Sequence, residues 1–272
     1  GVVREVGSRV QGFAPGDQVV VNPTAGGNAI GNGGAEGGFA PLLLVRGVNR
    51  DTGILLLPDT LSDEQGALVE PLSVAMHAVN RSELVPTDKL VIFGAGPIGL
   101  GVLLVARYVG LSHCVVVDRS AKRLALAEQL GATPVHADRE DVAARLGEVF
   151  GNVQYLGQTL PDVDVLIDAT GVGAVFEQCV QLARFRSRIT VVGVHKAPCH
   201  IDLLSVLARE LRISGSMAYP DEFPAVIEML ASGRVDASAL ISHRFPLSQF
   251  DQAFALAGNA GQAVKVMVDC QR

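Results

Sequence analysis

Tryptophan is absent from this 272-residue sequence, and cysteine and aromatic residues are sparse. The four cysteines stand far apart and form no Cys-x-x-Cys pair; they are Cys114, Cys179, Cys199 and Cys270. Their number and spacing argue against a disulfide framework and against a four-cysteine zinc lobe. We therefore expect reduced cysteines that act as small hydrophobic residues in a cytoplasmic protein.

Positive charge is also in deficit, because 22 Lys and Arg face 28 Asp and Glu, for a net charge of −6. No basic stripe occurs, which argues against nucleic-acid or membrane-surface partners. No basic-then-apolar leader opens the sequence, so nothing indicates secretion. The 17 uncharged residues from Leu90 to Ala106 reach the lower limit of a membrane span. Glycines and a proline interrupt this run, and the interruption favours a strand, a turn and a helix.

Apolar residues make up 49% of the chain, glycine is frequent at 30 residues, and charged residues make up only 18%. This composition excludes a disordered chain and suits a buried parallel sheet with tight turns. Strand and helix patterns alternate from Leu90 onward, which predicts a doubly wound parallel sheet. The predicted strands are Leu90–Phe93, Cys114–Asp118, Val163–Thr170, Arg188–Val194 and Leu211–Met217. The predicted helices are Ile98–Val109, Ser120–Leu130, Asp141–Phe150, Val175–Ala183 and Leu203–Glu210.

The two ends of the chain show other patterns. Short apolar runs bounded by turn residues predict strands at Asp17–Asn22, Phe39–Val45 and Ile54–Leu57. A glycine-rich loop lies at 26–38, and Asp63–Asn80 has helical spacing with an expected break at Pro71. The last part predicts helices at Glu222–Ser232 and Gln249–Ala257 and strands at Leu240–Phe245 and Val264–Val268.

A Gly-x-Gly-x-x-Gly motif joins the first central strand to its helix. It reads Gly94-Ala95-Gly96-Pro97-Ile98-Gly99. In a nucleotide site, the first glycine permits a tight turn, the second lets the backbone approach a pyrophosphate, and the third allows close helix–strand packing. The helix N-terminus offers free N–H groups to the phosphates. The context predicts dinucleotide binding, whereas the motif alone would also fit a purely structural turn.

The next strand ends in Asp118, 19 residues after Gly99. An acid at this place can accept the hydroxyls of the adenine ribose and repel a 2′-phosphate, which favours NAD over NADP. Arg119 works against this preference, because an arginine can bind a 2′-phosphate.

Several stretches together resemble the medium-chain, zinc-dependent alcohol dehydrogenases, in the branch of sorbitol, butanediol and threonine dehydrogenases. The resemblance covers essentially the whole chain in the order of the family. Its motifs are Gly1–Gly7 with Gly16-Asp17, Glu70–Ala78 (EPLSVAMHA), the glycine turn, Asp168–Gly171 (DATG), Val192–Val194 (VGV) and His243–Leu247 (HRFPL).

The resemblance implies an α/β fold in which a Rossmann doubly wound sheet is inserted in an incomplete GroES-like, β-rich catalytic domain. It places the catalytic domain at 1–70 and 219–272 and the NAD-binding domain at 71–218. The implied reaction moves a hydride between a small secondary alcohol or diol and NAD, with zinc as the Lewis acid in the intact enzyme. It also implies a homodimer or a homotetramer.

The resemblance carries over individual residues. Glu70 matches an acid that either ligates the catalytic zinc or hydrogen-bonds its water, although it could also be an ordinary acid of a helix. Arg123 matches an arginine near the adenosine, and Lys265 a basic residue near the pyrophosphate; a solvated helix charge is the other interpretation of Arg123. The backbone facing the nicotinamide carboxamide matches Val192, Gly193, Val194, Ser216, Met217 and Ala218, which equally suit core strands.

The sequence also departs from the family. A Gly-His-Glu segment and an upstream cysteine that supply zinc ligands would precede Gly1, so Glu70 alone remains of the catalytic ligands. The region Asn22–Gly38 lacks the cysteines of a structural zinc lobe, so we expect no structural zinc. Sugar-alcohol members carry an arginine where this chain has Ala218, before Tyr219, which suggests a smaller, less polar diol. His77 is interpreted as a packed or partly exposed histidine rather than a ligand.

Two other functions remain open at this point. One is a zinc-independent, NADPH-dependent quinone or enone reductase of the same superfamily, against which Asp118 and Glu70 both argue. The other is a truncated, non-catalytic nucleotide-binding protein. The fold does not decide among them, because function depends on the site.

Overall fold

The computed structural model describes residues 1–31, 34, 36–48, 53–259 and 261–271. The chain divides into two compact units. The sheet unit comprises Pro71–Glu222 and a short later segment that includes Gln262 and Ala263. The terminal unit comprises Gly1–Glu70, Phe223–Asn259 and the segment from Lys265 onward.

The strands and helices alternate through most of the chain. In chain order they are β1 Val19–Val21, β2 Ile54–Leu56, α1 Asp63–Arg81, β3 Lys89–Phe93, α2 Pro97–Tyr108, β4 His113–Asp118, α3 Ala121–Gln129, β5 Thr133–His136, α4 Val142–Phe150, β6 Asn152–Tyr155, β7 Gln158–Pro161, β8 Val165–Asp168, α5 Gly173–Leu182, β9 Arg188–Val191, α6 Leu203–Ala208, β10 Arg212–Gly215, α7 Phe223–Ala231, β11 Ile241–Pro246, α8 Phe250–Ala257 and β12 Lys265–Asp269.

The sheet unit is built on a six-stranded sheet in the order β10-β9-β8-β3-β4-β5, with every neighbouring pair parallel. The strand order reverses between β3 and β8, and ligands of such sheets bind outside the carboxyl ends of the strands at this switch point. Residues 90–93 and 114–117 are buried throughout, as expected for strands covered on both faces. The predicted doubly wound parallel sheet is therefore confirmed.

The apolar run from Leu90 to Ala106 contains β3, the glycine turn and most of α2. No helix in the described part of the chain has both the length and the apolar character that crossing a membrane requires. Helix α2 packs closely on α1, because a Cβ on Gly101 would lie 3.0 Å from the Cβ of Ala75. A small residue in α2 thus brings the two helices together.

All four cysteines are free. Burial raises the pKa of Cys114 to about 12 and raises the pKa of Cys179 well above its ordinary value. Both thiols therefore stay neutral at physiological pH and pack as small apolar side chains, as predicted for buried cysteines.

Two predictions for the N-terminal part are wrong. Residues 39–45 form bends and irregular backbone instead of a strand, and Leu42 and Leu44 are exposed. An apolar run becomes a strand only where a partner backbone pairs with it, and no described segment does so here. Helix α1 also continues through Pro71 without a break. Proline removes one backbone donor, and packing outweighs that loss: the flanking Val69 and Leu72 are almost fully buried.

The sequence also failed to reveal three short strands, β5, β6 and β7. β5 forms the outer edge of the parallel sheet beside β4, and β6 and β7 form a separate hairpin. Their exposed and polar residues hide the apolar periodicity on which strand prediction depends.

The terminal unit contains two small two-stranded sheets. β1 pairs antiparallel with β2, and β11 pairs parallel with β12, against which α8 packs. Arg244 of β11 forms a bidentate ion pair with Glu64 of α1, and this pairing lowers the pKa of the Glu64 carboxyl.

Candidate functional site

The glycine turn between β3 and α2 needs two of its glycines for shape. Gly94 has φ +98°, and a Cβ there would lie 3.0 Å from the Thr170 methyl group and 3.2 Å from the Ala169 carbonyl. A Cβ on Gly99 would lie 1.8 Å from the carbonyl oxygen of Gly94, closer than any atom can approach. These two residues therefore make the turn possible whether or not a ligand binds.

Gly96 differs from both, because open space lies in front of it. A Cβ there would have the Arg123 Nη1 atom at 3.8 Å as its nearest neighbour among the described residues. Its φ of −73° suits any residue, so backbone strain does not require glycine at this position. Gly96 precedes the first residue of α2, Pro97, and gives the helix no side-chain cap. An unfilled cradle at an uncapped helix N-terminus fits a phosphate group.

Asp118 ends β4, and its carboxylate links the glycine turn to the start of α3. Its Oδ2 accepts a hydrogen bond from the Ala95 N–H at 2.6 Å, and its Oδ1 accepts one from the Ser120 N–H at 2.7 Å. Each carboxylate oxygen keeps a further lone pair. The structure thus brings together the turn and the acid that the sequence had placed in one site.

The two arginines near Asp118 are directed to different partners. Arg119 is exposed and donates from its Nε to both carboxylate oxygens of Asp138, at 2.9 and 2.7 Å. This bond and the charge of Asp138 raise the pKa of Arg119. Arg123 instead donates from Nε and Nη2 to the carbonyl oxygen of Ala263, at 3.2 and 2.8 Å. Its Nη1 is the atom beside the Gly96 cradle.

The loops after β8 and β9 cross with their backbones in contact. A Cβ on Gly171 would lie 2.4 Å from the Val194 carbonyl oxygen, and a Cβ on Gly193 would lie 2.2 Å from the Gly171 nitrogen. The N–H groups of Val192 and Gly193 both donate to the carbonyl oxygen of Asp168, at 3.0 and 2.9 Å. The residues 192–194 thus form a loop beyond β9 rather than the end of a strand.

A side-chain pair that the sequence did not reveal lies under this crossing. Asp168 is fully buried, and its Oδ2 lies 2.7 Å from Nε2 of His195. The Nδ1 atom of His195 is buried and has no hydrogen-bond partner among the described residues. The only available signal was position, because His195 directly follows the predicted Val192–Val194 backbone and Asp168 opens the DATG motif.

The loop after β10 contains the other predicted nicotinamide residues. The Ser216 N–H donates to the Val191 carbonyl at 2.9 Å, whereas its buried Oγ has no partner within the described ranges. Met217 is 84% exposed, and Ala218 adopts a left-handed φ of +55°. Two unsatisfied buried polar atoms, His195 Nδ1 and Ser216 Oγ, thus occur at the carboxyl ends of adjacent strands.

Glu70 and Lys265 belong to the terminal unit. Glu70 lies within α1, and Lys265 begins β12 opposite Ile241. Burial lowers the pKa of Lys265, and the negative charge of Glu70 partly offsets this effect. Across residues 1–31, 34, 36–48, 53–259 and 261–271, no group of three or more His, Cys, Asp or Glu side chains could hold a metal ion. The described residues therefore do not fit a zinc centre, and the roles expected of Glu70 and Lys265 stay predictions.

Comparison with known proteins identifies the family. Residues 97–232 match the family of zinc-binding dehydrogenases. L-idonate 5-dehydrogenase of Vitis vinifera is 32% identical over 287 residues, which cover 98% of this chain and 76% of that protein. This chain belongs to the zinc-binding dehydrogenases. Sorbitol dehydrogenase of Homo sapiens is 33% identical to this chain over 284 residues, which cover 99% of this chain and 78% of that protein.

Structural similarity agrees with the sequence matches. The X-ray structure of 2R,3R-butanediol dehydrogenase from Bacillus subtilis superimposes with a TM-score of 0.80 at 30% sequence identity. The match covers 98% of this chain and 78% of that chain. The predicted resemblance to medium-chain polyol and alcohol dehydrogenases is therefore confirmed, and so is the Rossmann-type fold with a GroES-like partner domain.

Proposed function

We propose that this dehydrogenase transfers a hydride reversibly between a small secondary alcohol or diol and NAD. One observation carries the proposal: the Gly96 cradle is open at the N-terminus of α2, with Arg123 beside it and Asp118 at the end of the next strand. Helix N–H groups and a guanidinium are suited to a pyrophosphate, and the carboxylate to a ribose.

The preference for NAD over NADP is argued from charge. Asp118 presents a carboxylate at the ribose position, which repels a 2′-phosphate. Arg119 could offset this repulsion, but its guanidinium is bound to Asp138. The ribose position thus has negative charge and lacks a free cation from Arg119.

In the proposed reaction the carbinol carbon loses a hydride as its C–H bond breaks, and the hydroxyl proton passes to solvent as the carbonyl forms. NAD supplies the hydride acceptor when it is bound. The chain's own residues would hold it: α2 and Arg123 the phosphates, Asp118 the ribose, and the loops 192–194 and 216–218 the nicotinamide. Catalytic zinc remains an expectation from the family, and no step is assigned to it because the described residues do not fit it.

The substrate is proposed to be a small diol rather than a sugar alcohol. Ala218 occupies the position that has an arginine in sugar-alcohol members, so no guanidinium is available there for a polyhydroxylated chain. The related dehydrogenases are named for L-idonate, sorbitol and butanediol. A panel of candidate substrates must therefore include both sugar alcohols and small diols.

Cofactor binding tests the first part of the proposal. We expect NADH to bind more tightly than NADPH. Asp118→Ala should weaken NADH binding about tenfold and NADPH binding less, because only NADH loses a favourable ribose contact. Fluorescence titration measures both affinities. Asp138→Ala is the matched control, because it removes a nearby acid and frees Arg119: NADH affinity should persist and NADPH affinity should not fall. An unchanged NADH/NADPH ratio in Asp118→Ala would contradict the ribose assignment.

Turnover tests the second part. Alcohol-dependent NADH formation should be faster with 2,3-butanediol than with sorbitol at equal concentrations, as followed by NADH absorbance. Faster sorbitol oxidation would overturn the substrate proposal. Reduction of an enone or a quinone with NADPH would instead support the reductase alternative, and NADH binding without any turnover would support a non-catalytic nucleotide-binding protein.

A further inference from the structure

The Asp168–His195 pair has no role among the cofactor contacts proposed above. Asp168 ends β8 with no exposed surface, and three hydrogen bonds reach its carboxylate. The Thr170 N–H and hydroxyl donate to Oδ1 at 2.8 and 2.6 Å, and His195 Nε2 lies 2.7 Å from Oδ2. An ionised carboxylate only accepts, so the histidine donates from Nε2.

Asp168 thereby controls two loops through different atoms. Its carboxylate holds Thr170 in the loop after β8 and His195 in the loop after β9. Its backbone carbonyl accepts from Val192 and Gly193 in that second loop. The loop 192–195 is therefore fixed at its beginning by backbone bonds and at its end by the histidine ring.

Between these two fixed points, the loop is pressed against the backbone of Gly171. The side chain of Val194, at the outer point of the loop, is 80% exposed. An exposed apolar side chain on a loop held this firmly is suited to contact a planar ring, and the loop lies at the carboxyl edge of the sheet, where ligands of such folds bind.

The unsatisfied Nδ1 of His195 supports a role beyond folding. The Nδ1 atom is buried without a hydrogen-bond partner among the described residues, and the centroid of the Phe176 ring lies 6.1 Å from the imidazole centroid. Leaving a buried polar atom unpaired destabilises a protein. Chain stability alone therefore does not account for a histidine here.

We propose that His195, held by the buried carboxylate of Asp168, is a positioning residue that fixes the loop 192–195 against the nicotinamide half of the cofactor. The inference rests on the proposed use of a nicotinamide dinucleotide. It assigns His195 no part in binding the adenosine half, which the glycine turn, Asp118 and Arg123 hold at other strands of the same unit.

Comparing two ligands tests the inference on the 272-residue chain without requiring turnover. NADH contains both halves of the cofactor, whereas ADP-ribose lacks the nicotinamide. His195→Phe keeps a ring against Phe176 but removes the donor to Asp168, and His195→Gln keeps an N–H donor at a similar distance from the backbone. Matched controls are His113→Phe and His113→Gln, since His113 is an exposed histidine at the amino end of β4.

We expect His195→Phe to weaken NADH at least about tenfold, because a hydrogen bond to a charged group is lost. ADP-ribose affinity, measured by calorimetry, should change less than about twofold, His195→Gln should restore most NADH binding, and both His113 variants should match wild type. Equal losses for the two ligands, or unchanged NADH binding in His195→Phe, would overturn the inference while leaving dinucleotide binding intact.

Two further outcomes keep the test decisive. If His195→Phe does not fold, as judged by its thermal transition, His195→Gln decides alone: a folded glutamine variant that loses NADH binding despite its donor contradicts the positioning role. If wild type binds neither NADH nor ADP-ribose, the proposed function itself fails, and that result is distinct from selective failure of the loop inference.

Discussion

At the scale of single residues, the three glycines of one motif serve different physical purposes. Gly94 supplies a positive φ, Gly99 allows an atomic approach that no Cβ permits, and Gly96 leaves open space that the folded chain does not need. One glycine motif therefore combines structural requirements with a binding requirement, and only the surroundings of each Cβ position distinguish them.

This distinction gives a prediction for two alanine variants. Gly99→Ala should lower the free energy of unfolding by about 3 kcal/mol or more, because its Cβ would overlap the Gly94 carbonyl. Gly96→Ala should change it by no more than about 1 kcal/mol, the range of helix N-cap effects, yet weaken NADH at least about tenfold by filling the phosphate cradle. Urea denaturation and fluorescence titration measure the two quantities. Tight NADH binding by a folded Gly96→Ala protein would contradict the proposal that a phosphate group binds in this cradle.

At the scale of elements, the site lies on loops that follow parallel strands. β3, β4, β8, β9 and β10 all end at the same edge of the sheet, so their loops meet there although they are far apart in sequence. Tight backbone packing of these loops, as between Gly171 and Gly193, fixes their shape without large side chains. The elements thus position ligand groups chiefly through backbone.

The β6–β7 hairpin carries an element-scale prediction. Tyr155 pairs with Gln158, so Leu156 and Gly157 form a two-residue turn in which both have positive φ, 48° and 76°. Such turns favour Asn-Gly, and Leu156 is 74% exposed, so little packing is lost on replacing it.

Leu156→Asn should therefore raise the free energy of unfolding by about 1 kcal/mol, because leucine is strained in the left-handed region. Urea denaturation measures the change. Gly157→Ala, which places a Cβ at the second positive φ, should have the opposite sign. A stability of Leu156→Asn equal to or below wild type would refute this account of the turn.

In the whole molecule, the chain passes from the terminal unit to the sheet unit at Glu70–Pro71 and back at Glu222–Phe223, before the short later segment with Gln262 and Ala263 that rejoins the sheet unit. Glu222 is the last residue of the sheet unit before the chain re-enters the terminal unit. It is buried and accepts hydrogen bonds from His77 Nδ1 at 2.7 Å and Asn80 Nδ2 at 3.2 Å. His77 is thus a packed histidine, as predicted, and its hydrogen bond holds Glu222 against α1 within the sheet unit.

Acid stability follows from this cluster. Burial alone would raise the pKa of Glu222, but the hydrogen bonds from His77, the Asp221 N–H and Asn80 outweigh it and hold the pKa below the ordinary value of 4.5. A lowered carboxyl pKa stabilises the fold above the unfolded pKa, and this stabilisation is lost as the pH falls through the folded pKa. Glu222 should therefore contribute fully at neutral pH and lose its contribution below about pH 4.5.

We expect Glu222→Gln to lower the free energy of unfolding at pH 7 by about 2 kcal/mol, the size of a hydrogen bond to a charged group. The difference from wild type should shrink below pH 4.5, as measured by urea denaturation across the pH range. Glu228→Gln, at an exposed glutamate of α7, is the control and should have little effect. A Glu222→Gln deficit that does not depend on pH would rule out the ionised carboxylate as its source.

The parallel sheet, the glycine turn and its acidic partner could all be predicted from the residues alone. Strands covered on both faces are continuous apolar runs, and the steric need of Gly99 arises against Gly94, five positions earlier, so both can be recognised without coordinates. The crowding at Gly94 comes instead from Ala169 and Thr170, which only the fold brings close. Asp118 was found in the same way, because one strand and one helix separate it from the turn by a nearly fixed number of residues.

Which charged groups remain free, and which loops touch, depends on contacts that form only when the chain folds. Arg119 turns to Asp138, His195 reaches Asp168 across 27 positions, and the run at 39–45 remains without a strand partner among the described residues. Pairings of this kind depend on where distant segments meet after folding, and no local pattern of residues encodes that meeting.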